Sequence, residues 1–339
     1  MSVAPSSRTQ VKPGPRMTVS RGLLTVTAAT VVLFVLSATI APTSVSRGAL
    51  LGMLPFAAVL AIAALGQTLV IQQGGIDLSL PGSISLVVVI VTHQPKGDDD
   101  KLLAAVLLAL VAVVLAGLLN GTLVGRLGLN PIVATLGTNA LLYAAVIGIS
   151  GGAPRRTTRL LADITGGVTW GVPNAVYIAL IVLAITTFLV KATPAGRRFE
   201  AVGANQYAAW AAGLRVTGYR GSGYVGAQLH YWVAGVALAG IVAQPTAFQG
   251  DAYLLPSVAA VVLGGTSLLG GRGNLVATAI AALFLSQLEQ FVLALGVEFA
   301  VRTLVEAAAL AIGVALYSVN WAAVRGRLSR GRDPAPSAA

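Results

Sequence analysis

Apolar runs of membrane-spanning or near-spanning length follow one another along this chain, parted by short polar or glycine-rich stretches. They cover roughly 23–41, 50–71, 82–93, 102–119, 131–149, 174–191, 225–246, 256–269, 274–294 and 299–318. A helix needs about 20 apolar residues to cross a bilayer. The runs 82–93 and 256–269 are too short for that and read as short or broken helices. The pattern predicts an all-α integral membrane protein of about ten transmembrane segments, including these two. An even number of crossings returns the chain to the side on which it began.

One stretch near the middle departs from the apolar pattern. Thr193–Arg220, TPAGRRFEAVGANQYAAWAAGLRVTGYR, holds Pro194, Gly196, Gly203, Gly213 and Gly218, four arginines and Glu200. Between the glycines, Arg198–Ala212 is compatible with a short helix. Lipid leaves such charges unsatisfied, so this island is expected outside the bilayer, and its arginines put it on the cytoplasmic side. Two readings stand side by side: a solvated basic loop, or a docking surface for a soluble partner.

Composition sharpens the class. The 339 residues are 56% hydrophobic and only 10% charged, with mean hydropathy +0.84, which no soluble domain combines. There is no cysteine, hence no disulfide framework, thiol catalysis or Cys-based metal site. His93 and His230 are too few and too far apart for a His-rich metal site. The net charge of +11 does not point to nucleic acid, because the basic residues lie between apolar runs and follow membrane sidedness. Most of them fall on one side of the predicted topology, although Arg155, Arg156 and Arg159 in the 150–173 loop run against the bias. The polar, basic residues 1–20 precede the run from Leu23 and read as a cytoplasmic tail ahead of an uncleaved first span. The transmembrane domain is placed at 21–320, with the cytoplasmic island 193–220 inside it. The basic, then Pro/Ala-rich tail 321–339 also reads as cytoplasmic.

Several polar features remain within this frame. In Leu65–Leu86, LGQTLVIQQGGIDLSLPGSISL, Gly74 and Gly75 break a helix, and Ser79 with Pro81 marks the start of the next. Asp77 beside that break reads as a helix cap in a surface loop, a path residue or a proton carrier. Asp98, Asp99 and Asp100 lack the alternating spacing of a calcium loop and read as a solvated turn. Gly117, Gly121 and Gly125 give α-helical spacing of small residues, with Asn120 alongside, for either a dimer contact or an internal helix crossing. His230, beside Tyr231 and Trp232, reads as a helix-packing hydrogen bonder. Gly264, Gly265, Gly270, Gly271 and Gly273 surround Thr266, Ser267 and Arg272. A phosphate cradle there would need a Walker motif that the chain lacks, so the stretch reads as a hinge. Glu298, Arg302 and Glu306, spaced by four, form an ion-pair ladder, and Glu289 and Gln290 lie toward the outer mouth.

Four strings together resemble the permease subunits of monosaccharide-type ABC importers, the ribose/xylose/galactose permease family. They are GQTLVI..GGIDLS from Gly66, NPIVATLGT from Asn130, the pattern GR…A.G.N..AA...G from Gly196, and AAVVLGGTSLLGGRG from Ala259. Pro81 precedes Gly82 and Ser83 where the family places them directly after the apolar residue. The resemblance implies a transport subunit without catalysis of its own. Gly196, Arg197, Glu200, Ala201, Gly203, Asn205 and Gly213 would belong to an ATPase-coupling loop. Gly74, Gly75, Asp77, Ser79, Asn120, Gly264, Gly265, Thr266 and Ser267 would lie at the translocation path or at helix breaks. The short segments three and eight occupy corresponding places in segments two to five and seven to ten. Because segments two and seven run in opposite directions, these would be two inverted halves. No cofactor is expected on this chain, ATP and Mg being bound by a partner ATPase subunit. The further partners implied are an extracytoplasmic sugar-binding protein, a second permease chain in a homodimer or heterodimer, and the lipid of a bacterial cytoplasmic membrane. Two rivals are a permease for branched-chain amino acids or nucleosides and an ion-coupled secondary transporter.

Overall fold

A computed structural model describes residues 21–271 and 273–297, together with 304 and 308. The run 299–318 lies almost wholly outside the described residues. So do Arg272, the Glu298–Arg302–Glu306 ladder and both terminal tails. The chain forms α1 (Arg21–Ile40), α2 (Arg47–Gln72), α3 (Leu80–His93), α4 (Leu102–Asn120), α5 (Pro131–Ser150), the one-turn α6 (Arg159–Leu161) and α7 (Asn174–Thr187). It continues through α8 (Pro194–Ala204), α9 (Gln206–Ala211), α10 (Val216–Val242), α11 (Leu254–Leu263) and α12 (Leu275–Ala294). Among the described residues, seven helices are long and apolar enough to cross a membrane, and Leu80–His93 and Asp251–Leu263 are shorter apolar helices. A two-residue-by-two-residue antiparallel hairpin, Val168–Thr169 with Val172–Pro173, is the one departure from helix among those elements.

The helix starts are written in side chains that accept from otherwise orphaned backbone N–H groups. Ser46 accepts from Ala49 N, Asn130 from Ile132 N, Thr193 from Gly196 N, Asn205 from Ala208 N and Asn274 from Ala277 N. Pro131 and Pro194 occupy first turns, where a missing N–H leaves no bond unmade. Asp98 caps the turn into α4 and pairs with Lys101, whose ammonium holds that carboxyl below its usual range. Asp99 accepts from Leu160 N at 2.9 Å.

Helices surrounded by lipid gain little by hiding apolar side chains from one another, so close backbone approach and interhelical hydrogen bonds must hold them. Here α10 is the axis, packing on α2, α3 and α4. Against α2, a Cβ on Gly66 would lie 2.9 Å from the His230 and Tyr231 side chains. Against α4, a Cβ on Gly117 would meet Val225 Cα at 2.9 Å, one on Gly121 the Gly221 carbonyl at 2.8 Å, and one on Gly125 the Thr217 carbonyl at 2.8 Å. These pairings run in opposite sequence directions, so α4 and α10 are antiparallel. The glycine repeat is therefore an internal crossing. Hydrogen bonds then fasten the axis: Tyr231 Oη donates to Gln67 Oε1 at 2.8 Å, and Trp232 Nε1 to the Val106 carbonyl at 3.0 Å. His230 bonds Thr186 Oγ1 at 2.8 Å and the Gly226 carbonyl at 2.7 Å, which makes it a packing residue.

The same crowding moves element boundaries away from the sequence pattern. The run 225–246 is part of a helix that begins at Val216, because Thr217 and Gly221 are its contact with α4. The end of α4 winds on through a π-turn, Gly121–Arg126. The segment 256–269 is helical only to Leu263, where Gly264 meets Thr278 of α12 backbone to backbone.

Gly121→Ala should lower the stability of the detergent-solubilised protein by about 1–3 kcal/mol, since the new methyl overlaps the Gly221 backbone. Gly52→Ala should leave it unchanged, because nothing lies within 4 Å of a Cβ there. Thermal unfolding of the two variants side by side measures the difference.

Candidate functional site

The polar island, the helix break and the glycine-rich loop are far apart in sequence and meet at the C-terminal end of α2. The Gly271 N–H donates to the Gln72 carbonyl at 2.9 Å. A Cβ on Gly203, in α8, would sit 2.2 Å from that same carbonyl, and one on Gly270 3.2 Å from it. A Cβ on Gly273 would strike the Gln72 side chain at 2.1 Å. Gln73 Nε2 donates to the Phe199 carbonyl of α8 at 2.9 Å. Lys191 completes the clamp, pairing with Glu200 and donating to the Gly273 carbonyl at 3.2 Å. Gly74, Gly270 and Gly271 take φ values of +78°, +92° and +84°, which only glycine adopts freely. Glycine here serves two ends: it turns the chain, and it lets three backbones touch.

The island itself is two helices. Asn205 is extended (φ −159°, ψ 103°), so α8 ends there and its side chain caps α9. Residues from Val216 to Arg220 belong to α10. Gly196, Phe199 and Val202 are buried beneath α8, while Arg197, Ala201 and Asn205 are exposed. Gly213 closes α9 at φ +80°. Tyr207 and Trp210 stand out from α9 at 88% and 73% exposure, an apolar surface that faces no other part of the described chain.

A second cluster lies deeper. Asp77 is completely buried, which rules out a cap in a surface loop. Its Oδ1 accepts from Ser79 N at 2.9 Å and from Ser79 Oγ at 2.5 Å. Ser79 Oγ accepts in turn from Asn120 Nδ2 and Gln228 Nε2, both at 2.9 Å, and Thr138 Oγ1 donates to Asn120 Oδ1 at 2.6 Å. Three segments, the α2–α3 break, α4 and α10, are thereby tied at one hydroxyl, and α5 joins them through Asn120. The start of α3 is satisfied from α5: Leu78 N donates to Thr135 Oγ1 at 2.9 Å and Gly82 N to Asn139 Oδ1 at 2.8 Å. Pro81, lacking an N–H, needs no partner between them. The helix thus starts at Leu80, two residues before the apolar pattern begins. Asp77 Oδ2 and Gln228 Oε1 are buried without a hydrogen-bond partner among the described residues.

The predicted residues therefore fall into two groups. Asp77, Ser79 and Asn120 form the deep network. Gly74, Glu200 and Gly203 belong to the clamp around Gln72, while Gly196 packs against the Leu189 and Val190 carbonyls. Gly264 and Gly265 end α11, and the buried Thr266 accepts weakly from Asn274 N at 3.5 Å. Ser267 bonds only within its own turn. The residues that bind these groups together, Gln72, Gln73, Thr138 and Gln228, were not singled out by motif. Their signal was amide or hydroxyl polarity inside otherwise apolar helices.

The fold and these joints describe a multi-pass helical membrane protein with a structured polar island at one end. The sequence pattern of the branched-chain amino acid transport system permease component matches residues 49–318, and the chain belongs to this family. It is similar to the ribose import permease protein RbsC of Escherichia coli (strain K12), 34% identical over 300 residues that cover 84% of this chain and 90% of that protein. RbsC of Bacillus subtilis (strain 168) is 33% identical over 272 residues, covering 79% and 84%. The autoinducer 2 import system permease protein LsrD of Photorhabdus temperata is 28% identical over 285 residues, covering 80% and 84%. No solved structure matches the chain.

Asp77→Asn keeps an oxygen acceptor for Ser79 and should cost about 1 kcal/mol or less. Asp77→Leu leaves the Ser79 donors unpaired in a buried site and should cost about 1–3 kcal/mol for each. Thermal unfolding in detergent orders the two, and equal losses would show that the network does not hold the break.

Proposed function

We propose that this chain is the membrane-spanning permease subunit of an ATP-driven importer and forms the path of a monosaccharide delivered by a solute-binding protein. The observation that carries the reading is the clamp at Gln72. A polar island with an exposed aromatic face is bonded directly to a helix break inside the bundle, so force on the island reaches the membrane helices without passing through a flexible link. Family membership supports a transport role, and the names of the ribose and autoinducer 2 import permeases support a sugar-like cargo over a branched-chain amino acid.

On this reading, α8 and α9 form the coupling surface for an ATPase subunit, which binds ATP and Mg. Arg197, exposed at the start of α8, meets that partner. A second permease chain completes the cavity, and Asp77, Ser79 and Asn120 hold the broken helix beside it. Both termini lie in the cytoplasm of a bacterial cell, with about ten segments counting the run 299–318. The short helices α3 and α11 each follow a long helix, α2 and α10, with a glycine break before α3 and another after α11. This correspondence supports two inverted halves.

Arg197→Glu should leave the chain inserted but reduce binding-protein-stimulated ATP hydrolysis by about tenfold or more, since it reverses a charge at the contact. Undiminished stimulation would remove α8 from the coupling surface. In a second test, single cysteines at Ala204 and Asp99 should be labelled from opposite sides, the first only from the cytoplasm. Labelling of Ala204 from outside would overturn the topology. Uptake of labelled ribose should persist when the proton gradient is collapsed at constant ATP. Its disappearance would decide for ion coupling through a buried acid.

A further inference from the structure

A groove of about 550 Å³ opens between α4 and α10 at the island end of the bundle. It is graded along its length. Arg126 and Thr217 line one end, Gly121, Thr122, Gly221 and Ser222 the middle, and Leu118 and Val225 the other end. Because the helices are antiparallel, Gly117, Gly121 and Gly125 lie level with Val225, Gly221 and Thr217 of α10. Leu118 and Val225 each stand eight residues from the polar end, about 12 Å of helix rise. The polar end coincides with the end of a 28-residue apolar helix, Asp99–Arg126, and so with the membrane interface.

We propose that this groove binds an anionic phospholipid, with the phosphate on Arg126 and the hydroxyls of Thr122 and Thr217, and an acyl chain along Leu118 and Val225. Three observations carry it. Arg126 is exposed and makes no ion pair or side-chain hydrogen bond among the described residues, although it sits where phosphate headgroups lie. Neither threonine hydroxyl has a hydrogen-bond partner among those residues, so both are free to donate to phosphate oxygens. Gly218, unlike the glycines around it, is not required by packing: the nearest atom to its Cβ position is Arg215 Cβ at 4.0 Å, and its φ is not positive. A glycine that neither relieves a clash nor turns the chain leaves the groove open. The guanidinium supplies a fork of donors for phosphate, and the apolar far end suits a chain that a free anion lacks. The site is independent of the cargo and of the ATPase.

The test uses the full-length protein, purified in mild detergent, stripped of lipid and titrated with palmitoyl-oleoyl phosphatidylglycerol or phosphatidylcholine. Native mass spectrometry counts the lipid bound. Preferential retention of phosphatidylglycerol is expected. Arg126→Gln should weaken it about fivefold, the contribution of one interfacial cation, while Arg126→Lys should retain most of it. Gly218→Leu fills the groove without touching backbone and should abolish the tight site while leaving thermal stability unchanged in detergent. Millimolar inorganic phosphate should not displace the lipid. Equal retention of both lipids, or phosphatidylglycerol held undiminished by Arg126→Gln and Gly218→Leu, would overturn the proposal. Disulfide formation between two copies carrying Thr122→Cys in native membranes would also overturn it, assigning the groove to a second chain.

Discussion

The fold depends on how closely α10 can approach its neighbours. In lipid, one apolar helix is no worse off beside acyl chains than beside another helix, so contact must come from shape and hydrogen bonding. Gly66, Gly117, Gly121 and Gly125 on the facing helices, with Gly221, Gly223 and Gly235 on α10, bring backbones together where any side chain would intervene. Once the backbones touch, longer residues reach across: Tyr231 to Gln67, Trp232 to the α4 backbone, Gln228 to Ser79. Remove the glycine contacts and these hydrogen bonds no longer span the gap.

The same principle operates on a smaller scale at Gln72. A carbonyl at the end of α2 has no partner within its own helix. It finds one in the Gly271 N–H, and Gly203 lets α8 lie directly on it. A carbonyl that must be satisfied thus becomes the joint between three segments. Because it is a backbone joint, side-chain rotation cannot loosen it. Movement of α8 is therefore expected to be shared with the helix break and the glycine-rich loop.

Asp77 illustrates the other way of stabilising an irregular backbone at membrane depth. Five residues separate the last residue of α2, Gln72, from Leu78, and lipid could not satisfy their polar groups. Asp77, Thr135 and Asn139 accept the free N–H groups of Leu78, Ser79 and Gly82, so side chains take the place of water. The unpaired Oδ2 of Asp77 marks the place where this satisfaction is incomplete.

Membrane class and the existence of the long helices were legible in the sequence, because each rests on local chemistry. Apolar length sets a span, and Asn130, Thr193 and Asn274 can cap whichever helix follows them. The motifs around Gly74, Gly203 and Gly270 were legible as separate strings. Their meeting at Gln72 was not, since a backbone carbonyl has no sequence signature. Nor could spacing tell whether Gly117, Gly121 and Gly125 face a second chain or α10. That depends on which backbone lies 3 Å away, and only the tertiary structure decides it. The start of α10 was hidden for the same reason: Thr217 and Gly221 look like loop in an apolar-run reading, and become helix where α4 packs against them.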